Sequence, residues 1–456
     1  MSSKLVVHIG IDDTDSPRGG CTTYIASLAI DVLLKLGSTF IDYPNLIRLN
    51  PNAPWKTRGN GALCLRFKID VDKLDIAIKE ILKIVKAEAD LDHPATNPTV
   101  AVLKGWPGPK LKSLAKEAVE GIVKVSEALM VAQEEDVQLY ALKDYVGVVG
   151  ALAAIGNLLE EDYTYELIAY RVPTNRGKPR LIDEQSVVFM DNATRPNTFN
   201  NIDLEVGRVL ITPRGPDPVL FGIRGENPMD VKSAASLIKV GEVIERWTIF
   251  RTNQGTDAHL KHRTIAEAEP YYPVIIKGTI ISKPITTEGG HVMFKLADPT
   301  GTIDCAAYEP TGSFRKIVLS LLPGDQVEVY GGIRPPTKDH PKTVNLEKIR
   351  VLSLRELKTE LNPRCPLCGA RTKSMGKGKG YRCEKCGKRL PVTARKEEHT
   401  IPRNIIEALY IPPPRAQRHL TKPYSRYGRE KAPQPFTPSE IPVEEFHWVN
   451  PTYKKR

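Results

Sequence analysis

His8 to Ile30 reads HIGIDDTDSPRGGCTTYIASLAI. An apolar strand, KLVVHIGID, runs into Asp12, Asp13 and Asp15, and the chain then turns through Ser16, Pro17, Arg18, Gly19 and Gly20. From near Thr22 the spacing of apolar residues in TTYIASLAIDVLLKLG predicts a helix. A strand, a turn and a helix in that order read as an α/β unit, and ligands of open α/β sheets gather at the C-terminal edge of the strands. Glycines allow close backbone approach, and the unpaired N–H groups at a helix start favour a phosphate. Three carboxylates beside a phosphate call for a cation or for a proton to transfer, and magnesium is the cation that accompanies triphosphates. In an extended segment Asp13 and Asp15 share a side while Asp12 faces away, so one metal takes only some of the three. The loop is not a Walker A sequence, because the lysine of GxxxxGK[ST] is absent. The plain alternative is an acidic β-turn with Asp15 or Ser16 acting as a cap.

A second polar loop favours the phosphate reading. RLNPNAPWKTRGNGA, starting at Arg48, carries Asn50, Asn52, Lys56, Arg58 and Asn60 among prolines and glycines. Acids facing cations suit phosphoryl transfer. The candidate ATP- and phosphate-binding set is therefore Gly19, Gly20, Thr23, Lys56, Arg58 and Asn60. Two further stretches could line a site. AYRVPTNRGKPR offers Arg171, and FRTNQGTDAHLKH offers Asn253, Gln254, Thr256 and Asp257. A guanidinium-bearing substrate would want a carboxylate such as Asp257 with amide acceptors nearby. Ordinary hairpin loops are the alternative for both.

At 456 residues the chain is too long for one hydrophobic core. The pattern predicts a multidomain α+β protein: an α/β domain over 1–137, a ferredoxin-like domain over 138–268 and an OB-fold β-barrel over 269–356. A zinc ribbon (357–394) and a basic, proline-rich tail (395–456) follow. The barrel reading rests on short strands, Gly-Gly and Pro-Thr-Gly turns and one interrupting helix, SFRKIVLSLL. Tyr271, Tyr272, Phe294 and Tyr308 are candidate base-stacking platforms there or simply core. The tail is expected to order only against other surfaces.

Cys365, Cys368, Cys383 and Cys386 form two CxxC pairs fourteen residues apart. Four thiolates at that spacing close a tetrahedral zinc site with no open position, so the zinc is structural. The other three of the seven cysteines are scattered, which argues against a secreted disulfide framework. With 65 Lys and Arg against 54 Asp and Glu, the net charge of +11 suits a polyanionic partner, nucleic acid first. No apolar run approaches a membrane span, and the opening strand lacks a signal peptide's regions, so a cytoplasmic protein with no membrane partner is expected.

In this order, GIDDTDSPRGGCTTY, NPNAPWKTRGNGA, FRTNQGTDAHL, the OB pattern and the CxxC ribbon resemble an archaeal family, the tRNA(Ile) 2-agmatinylcytidine synthetases. The resemblance covers nearly the whole chain. It implies that the N-terminal domain is kinase-like and that the enzyme is an ATP-dependent ligase. Such a ligase joins agmatine to C2 of the wobble cytidine of the isoleucine tRNA with a CAU anticodon, allowing AUA decoding. It also implies that the C2 oxygen is phosphorylated first, that Asp12, Asp13 and Asp15 are the catalytic acidic residues, and that Thr22 is autophosphorylated. ATP, Mg2+ and structural Zn2+ are the expected cofactors. The rival readings are a non-catalytic RNA-binding protein, ATP-dependent modification of another RNA, and a small-molecule kinase.

Overall fold

Residues of the first strand alternate between two buried faces, and that alternation organises the N-terminal half. The computed structural model describes residues 4–338 and 340–453. The elements of the N-terminal half are β1 (Lys4–Asp12), α1 (Thr22–Lys35), β2 (Asn45–Arg48), β3 (Gly61–Asp70), α2 (Leu74–Glu88), β4 (Thr99–Lys104), α3 (Pro109–Glu120), α4 (Val125–Glu134), β5 (Gln138–Ala141), α5 (Val148–Gly156), β6 (Thr164–Arg171), α6 (Glu184–Thr194), β7 (Val219–Gly225), α7 (Pro228–Ser236) and β8 (Ile244–Thr252). Their strands form one sheet in the order β5-β4-β1-β3-β2-β8-β6-β7, with Thr198–Phe199 at the far edge. β1 pairs antiparallel with both β3 and β4, and Asp12 lies opposite Thr99.

The strands on either side of residues 137 and 138 therefore belong to one sheet. β5 pairs with β4, and the two halves join where β8 runs parallel to β2, with Arg251 opposite Asn45. Val7, Ile9 and Ile11 face α1 and α2 and pack with Ile25, Leu33, Ile78 and Ile81. The opposite face carries Ala62, Cys64 and Ala101 against α3 and α5. Small residues there let α5 approach closely: a Cβ on Gly10 would sit 2.1 Å from the Ala151 carbonyl oxygen. Period two places His8, Gly10 and Asp12 on this same face. Arg66, buried on it, donates to the carbonyls of Ala154, Ile155 and Asn157 and so closes the C-terminal end of α5.

The barrel consists of β9 (Pro273–Ile280), β10 (Val292–Asp298), β11 (Gly301–Ala307), α8 (Phe314–Leu319), β12 (Gln326–Arg334) and β13 (Thr343–Ser353). It closes through β9-β12-β13-β11-β10 and back to β9, with β11 and β13 parallel. Phe294 lies in its core, whereas Tyr308 lies on a cleft wall.

In the ribbon the two knuckles match. Cys365 and Cys383 each accept a bond from the glycine four residues on, and Gly369 and Gly387 both take positive φ. The four sulfurs lie within 4.8 Å of one another, a set that fits zinc by number, identity and spacing.

Beyond the ribbon the tail returns across the molecule. Leu409–Tyr410 pairs with β13; α9 (Val443–Phe446) and β14 (His447–Val449) follow, and β14 pairs with β8. Phe446 is fully buried against Phe40. Several cations of the basic tail are held by the protein's own carboxylates. Arg426 is buried between Asp162 and Glu226, and Arg415 pairs with Asp203. No helix among the described residues is long and apolar enough to cross a membrane.

Candidate active site

β1 ends at Asp12, and Asp13 follows with φ of 56°, which breaks the strand's alternation. As a result Asp12, Asp13 and Asp15 all line one cavity of about 740 Å³, where a fully extended segment would have turned Asp12 away. Thr22, Thr23, Lys56, Arg58 and Asn60 line it too. Asp12 abuts α5: a Cβ on Gly150 would sit 1.8 Å from the Asp12 Oδ2. Asp13 accepts a bond from the Asn97 N–H at 3.0 Å, and Asp15 accepts one from the Thr57 hydroxyl at 2.7 Å.

Burial, together with repulsion from Asp13 and Asp15, holds the Asp12 carboxyl well above the usual carboxylate range. Burial likewise raises Asp13 to about 6, although bonds from Asn97 oppose the shift. At the start of α1, Cys21 is the N-cap and makes no capping bond with its side chain. Thr14 donates to the Thr22 Oγ1 at 3.0 Å, which fixes Thr22 in the first turn.

Arg58 is a clamp rather than a free cation. It pairs with Asp15 at 3.2 Å and Asp217 at 3.0 Å, and it donates to the carbonyls of Ser16, Gly19 and Gly20. Gly19 and Gly20, expected as a phosphate cradle, lie against this guanidinium. Their carbonyls face the guanidinium, the Gly19 N–H bonds to Ser16, and neither glycine lines the cavity. Asn60 donates to the Asn50 carbonyl and holds its own loop.

The proposed guanidinium-binding set lies behind the cavity wall. Arg171 pairs with Glu242 at 2.8 Å, away from the site. Asn253 exchanges bonds with the backbone of Arg48, and Thr256 donates to the Asn253 carbonyl. The Asp257 carboxylate is held by buried Lys348 and by the Lys422 N–H. A substrate guanidinium would have to displace that lysine. Gln254 connects to the side chains of the site, its amide nitrogen donating to Glu166 and its amide oxygen lying 3.1 Å from the His419 Nδ1.

Glu166, Asp217, Arg48, Arg224 and His419 complete the lining. Arg224 donates to Glu166 at 3.2 Å, and burial brings the Arg48 guanidinium down to about 10 despite Glu166. The neighbouring Arg48 cation, burial and the Arg224 cation hold the His419 imidazole well below its usual range. Glu166, an acid inside the apolar strand YTYELIAY, is a signal that the sequence did offer. His419 has none, since it reaches the site from a tail 165 residues beyond Gln254.

Comparison with known proteins places the chain in a family. Family models described as the TiaS TCKD domain, the TiaS FLD domain and the TiaS C-terminal zinc ribbon domain match residues 8–74, 146–259 and 362–405. An OB-fold nucleic acid binding domain model matches 274–352. The tRNA(Ile) 2-agmatinylcytidine synthetase TiaS of Staphylothermus marinus is 44% identical, covering 98% of each chain. That of Pyrococcus horikoshii is 42% identical over 92% of this chain and 97% of its own. Crystal structures of TiaS with its isoleucine tRNA and ATP, and of TiaS with that tRNA, AMPCPP and agmatine, superpose with TM-scores of 0.80 and 0.79, at 39% and 38% identity. Each covers 92% of this chain and 97% of that chain. With the fold, the order of domains and near-complete coverage at this identity in agreement, the chain belongs to the tRNA(Ile) 2-agmatinylcytidine synthetase family.

Proposed function

We propose that this protein uses ATP to join agmatine to C2 of the wobble cytidine in an isoleucine tRNA with a CAU anticodon. The observation that carries the reading is one cavity in which Asp12, Asp13 and Asp15 meet Thr22 and Thr23 at the start of α1. A carbonyl oxygen at C2 is a poor leaving group, and phosphorylating it, with a phosphoanhydride bond of ATP breaking as the new P–O bond forms, divides a hard substitution into two easier ones. In the second step the agmatine amine attacks C2. A C–N bond forms, the C–O bond breaks with loss of phosphate, and a cavity carboxylate takes the amine proton.

The donor set fits magnesium, because Asp12 and Asp13 offer hard oxygen ligands, and magnesium beside phosphates needs only one or two carboxylates. Bound there, magnesium would neutralise triphosphate charge. Thr23 and the open N-terminus of α1 face the phosphates, and Thr22 is the candidate for autophosphorylation. The four cysteines hold a zinc that organises the ribbon, and the work takes place in the cytoplasm. ATP consumption in the presence of tRNA and agmatine tests the role of the acids. Asp12→Asn should lower turnover at least 100-fold while tRNA affinity stays within twofold. Wild-type turnover in that variant would remove Asp12 from the chemistry.

A further inference from the structure

The acidic turn takes a course that it would not hold alone. Asp13 is a non-glycine residue at positive φ, and three carboxylates share one cavity. The backbone resists the first and like charge the second, so such a turn persists only where its surroundings fix it. Arg58 is one support. A second is a segment the chemistry above leaves unused: DLDHPATN, Asp90 to Asn97, between α2 and β4.

Four consecutive residues of the turn, Asp13 to Ser16, are bonded to it. The Asn97 N–H donates to the Asp13 carboxylate, and the Thr96 hydroxyl donates to the Asp15 carbonyl at 3.0 Å. The Asp90 N–H donates to the Thr14 carbonyl at 3.3 Å, and the Asp90 carboxylate accepts from the Ser16 hydroxyl and from Arg18 at 2.6 and 3.0 Å. Thr14, held in this way by its carbonyl, is also the residue whose hydroxyl donates to Thr22. The segment is itself pinned. Lys143, just past β5, donates to the carbonyls of Leu91 and His93 at 3.2 and 2.9 Å. A Cβ on Gly147 would sit 2.5 Å from the Asn97 carbonyl oxygen and 3.1 Å from the Asp13 Cβ, so the approach to α5 leaves no slack. Thr96 is fully buried, and losing its hydroxyl would leave the Asp15 carbonyl without that donor. Asp90, Thr96 and Asn97 all lie outside the cavity lining.

We propose that the Asp90–Asn97 segment is the template that sets Asp13, Asp15 and, through Thr14, Thr22 for phosphoryl transfer, with Asp90 and Thr96 as positioning residues. The inference rests on the function proposed above.

The test measures kcat and KM for ATP consumption by the zinc-loaded full chain with tRNA and agmatine, together with tRNA affinity and the unfolding midpoint. Thr96→Val keeps the shape of the side chain and removes its hydroxyl. Because misplacing a reacting group by about 1 Å costs about 100-fold, it should lower kcat about tenfold or more while the KM for ATP and the tRNA affinity stay within twofold. Thr96→Ser should restore kcat to within threefold. Asp90→Ala should lower kcat about tenfold, and adding Ser16→Ala to it should cost less than a further twofold, because both changes break one contact. If Thr96→Val fails to fold, this Ser16–Asp90 cycle decides alone. Wild-type kcat in Thr96→Val or Asp90→Ala would overturn the proposal, as would Ser16→Ala and Asp90→Ala effects that multiply, or a raised KM for ATP with kcat unchanged. Wild-type protein that forms no 2-agmatinylcytidine would contradict the function instead. Hydrogen exchange over residues 12–20 would then decide the template: about tenfold faster in Thr96→Val if the segment holds the turn, and unchanged if it does not.

Discussion

Gly150→Ala tests how the sheet positions its catalytic acid. A Cβ at residue 150 would stand 1.8 Å from the Asp12 Oδ2 and 2.5 Å from its Cγ. Ordinary contact is about 3.5 Å, so either the carboxylate or α5 must move by roughly 1.5 Å. The helix resists, because Arg66 holds its C-terminal carbonyls and a Cβ on Gly10 already has no room beneath Ala151. Overpacking costs about 1–3 kcal/mol, and alanine favours a helix over glycine by about 1 kcal/mol. The net loss of stability is then only about 0–2 kcal/mol. Catalysis is far more sensitive, since misplacing a reacting group by about 1 Å costs about 100-fold. Single-turnover formation of modified tRNA should therefore slow about 100-fold or more, with tRNA affinity and the unfolding midpoint little changed. Near-wild-type turnover in Gly150→Ala would refute the argument that Asp12 works from its position against α5.

Three other consequences can be checked directly. Cys383→Ser should lose bound zinc by metal analysis and weaken tRNA binding, with less effect on ATP consumption. Glu347 is buried, which opposes its charge, yet His259, Arg418 and Lys348 hold its carboxyl down at about 2. A depressed carboxyl stabilises the fold above its ordinary value near 4.5, and that share is lost as pH falls towards 2. Glu347→Gln should accordingly destabilise the protein by about 3–5 kcal/mol at pH 7, and denaturant titrations should show the gap closing through this acid window. His419→Ala should lower turnover by loosening Glu166 through Gln254, and a variant with unaltered kcat and KM would show that the tail histidine is only packing.

What could be read in the sequence depended on whether a signal was local. The strand, acidic turn and helix at Lys4–Lys35 and the four cysteines lie in short windows, where spacing alone dictates geometry. The helix start at Thr22 and the interrupting barrel helix α8 were legible for the same reason. The partners of Asp257 and Arg171 were hidden because Lys348 and Glu242, which pair with them, lie far along the sequence. The joining of two layers into one sheet was hidden as well, since it depends on β8 meeting β2 from far along the chain; Arg48 and Asn253, bonded at that junction, lie 205 positions apart. Gly147 and Gly150 resemble ordinary small residues in an apolar helix until Asp12 and Asp13 are placed against them.

The central claim is most directly tested by nucleoside mass spectrometry of isoleucine tRNA, transcribed without modifications and incubated with this protein, ATP, magnesium and agmatine. The account predicts a cytidine heavier by agmatine minus water, formed only when all components are present. Unchanged cytidine from zinc-loaded protein that binds the tRNA would contradict it.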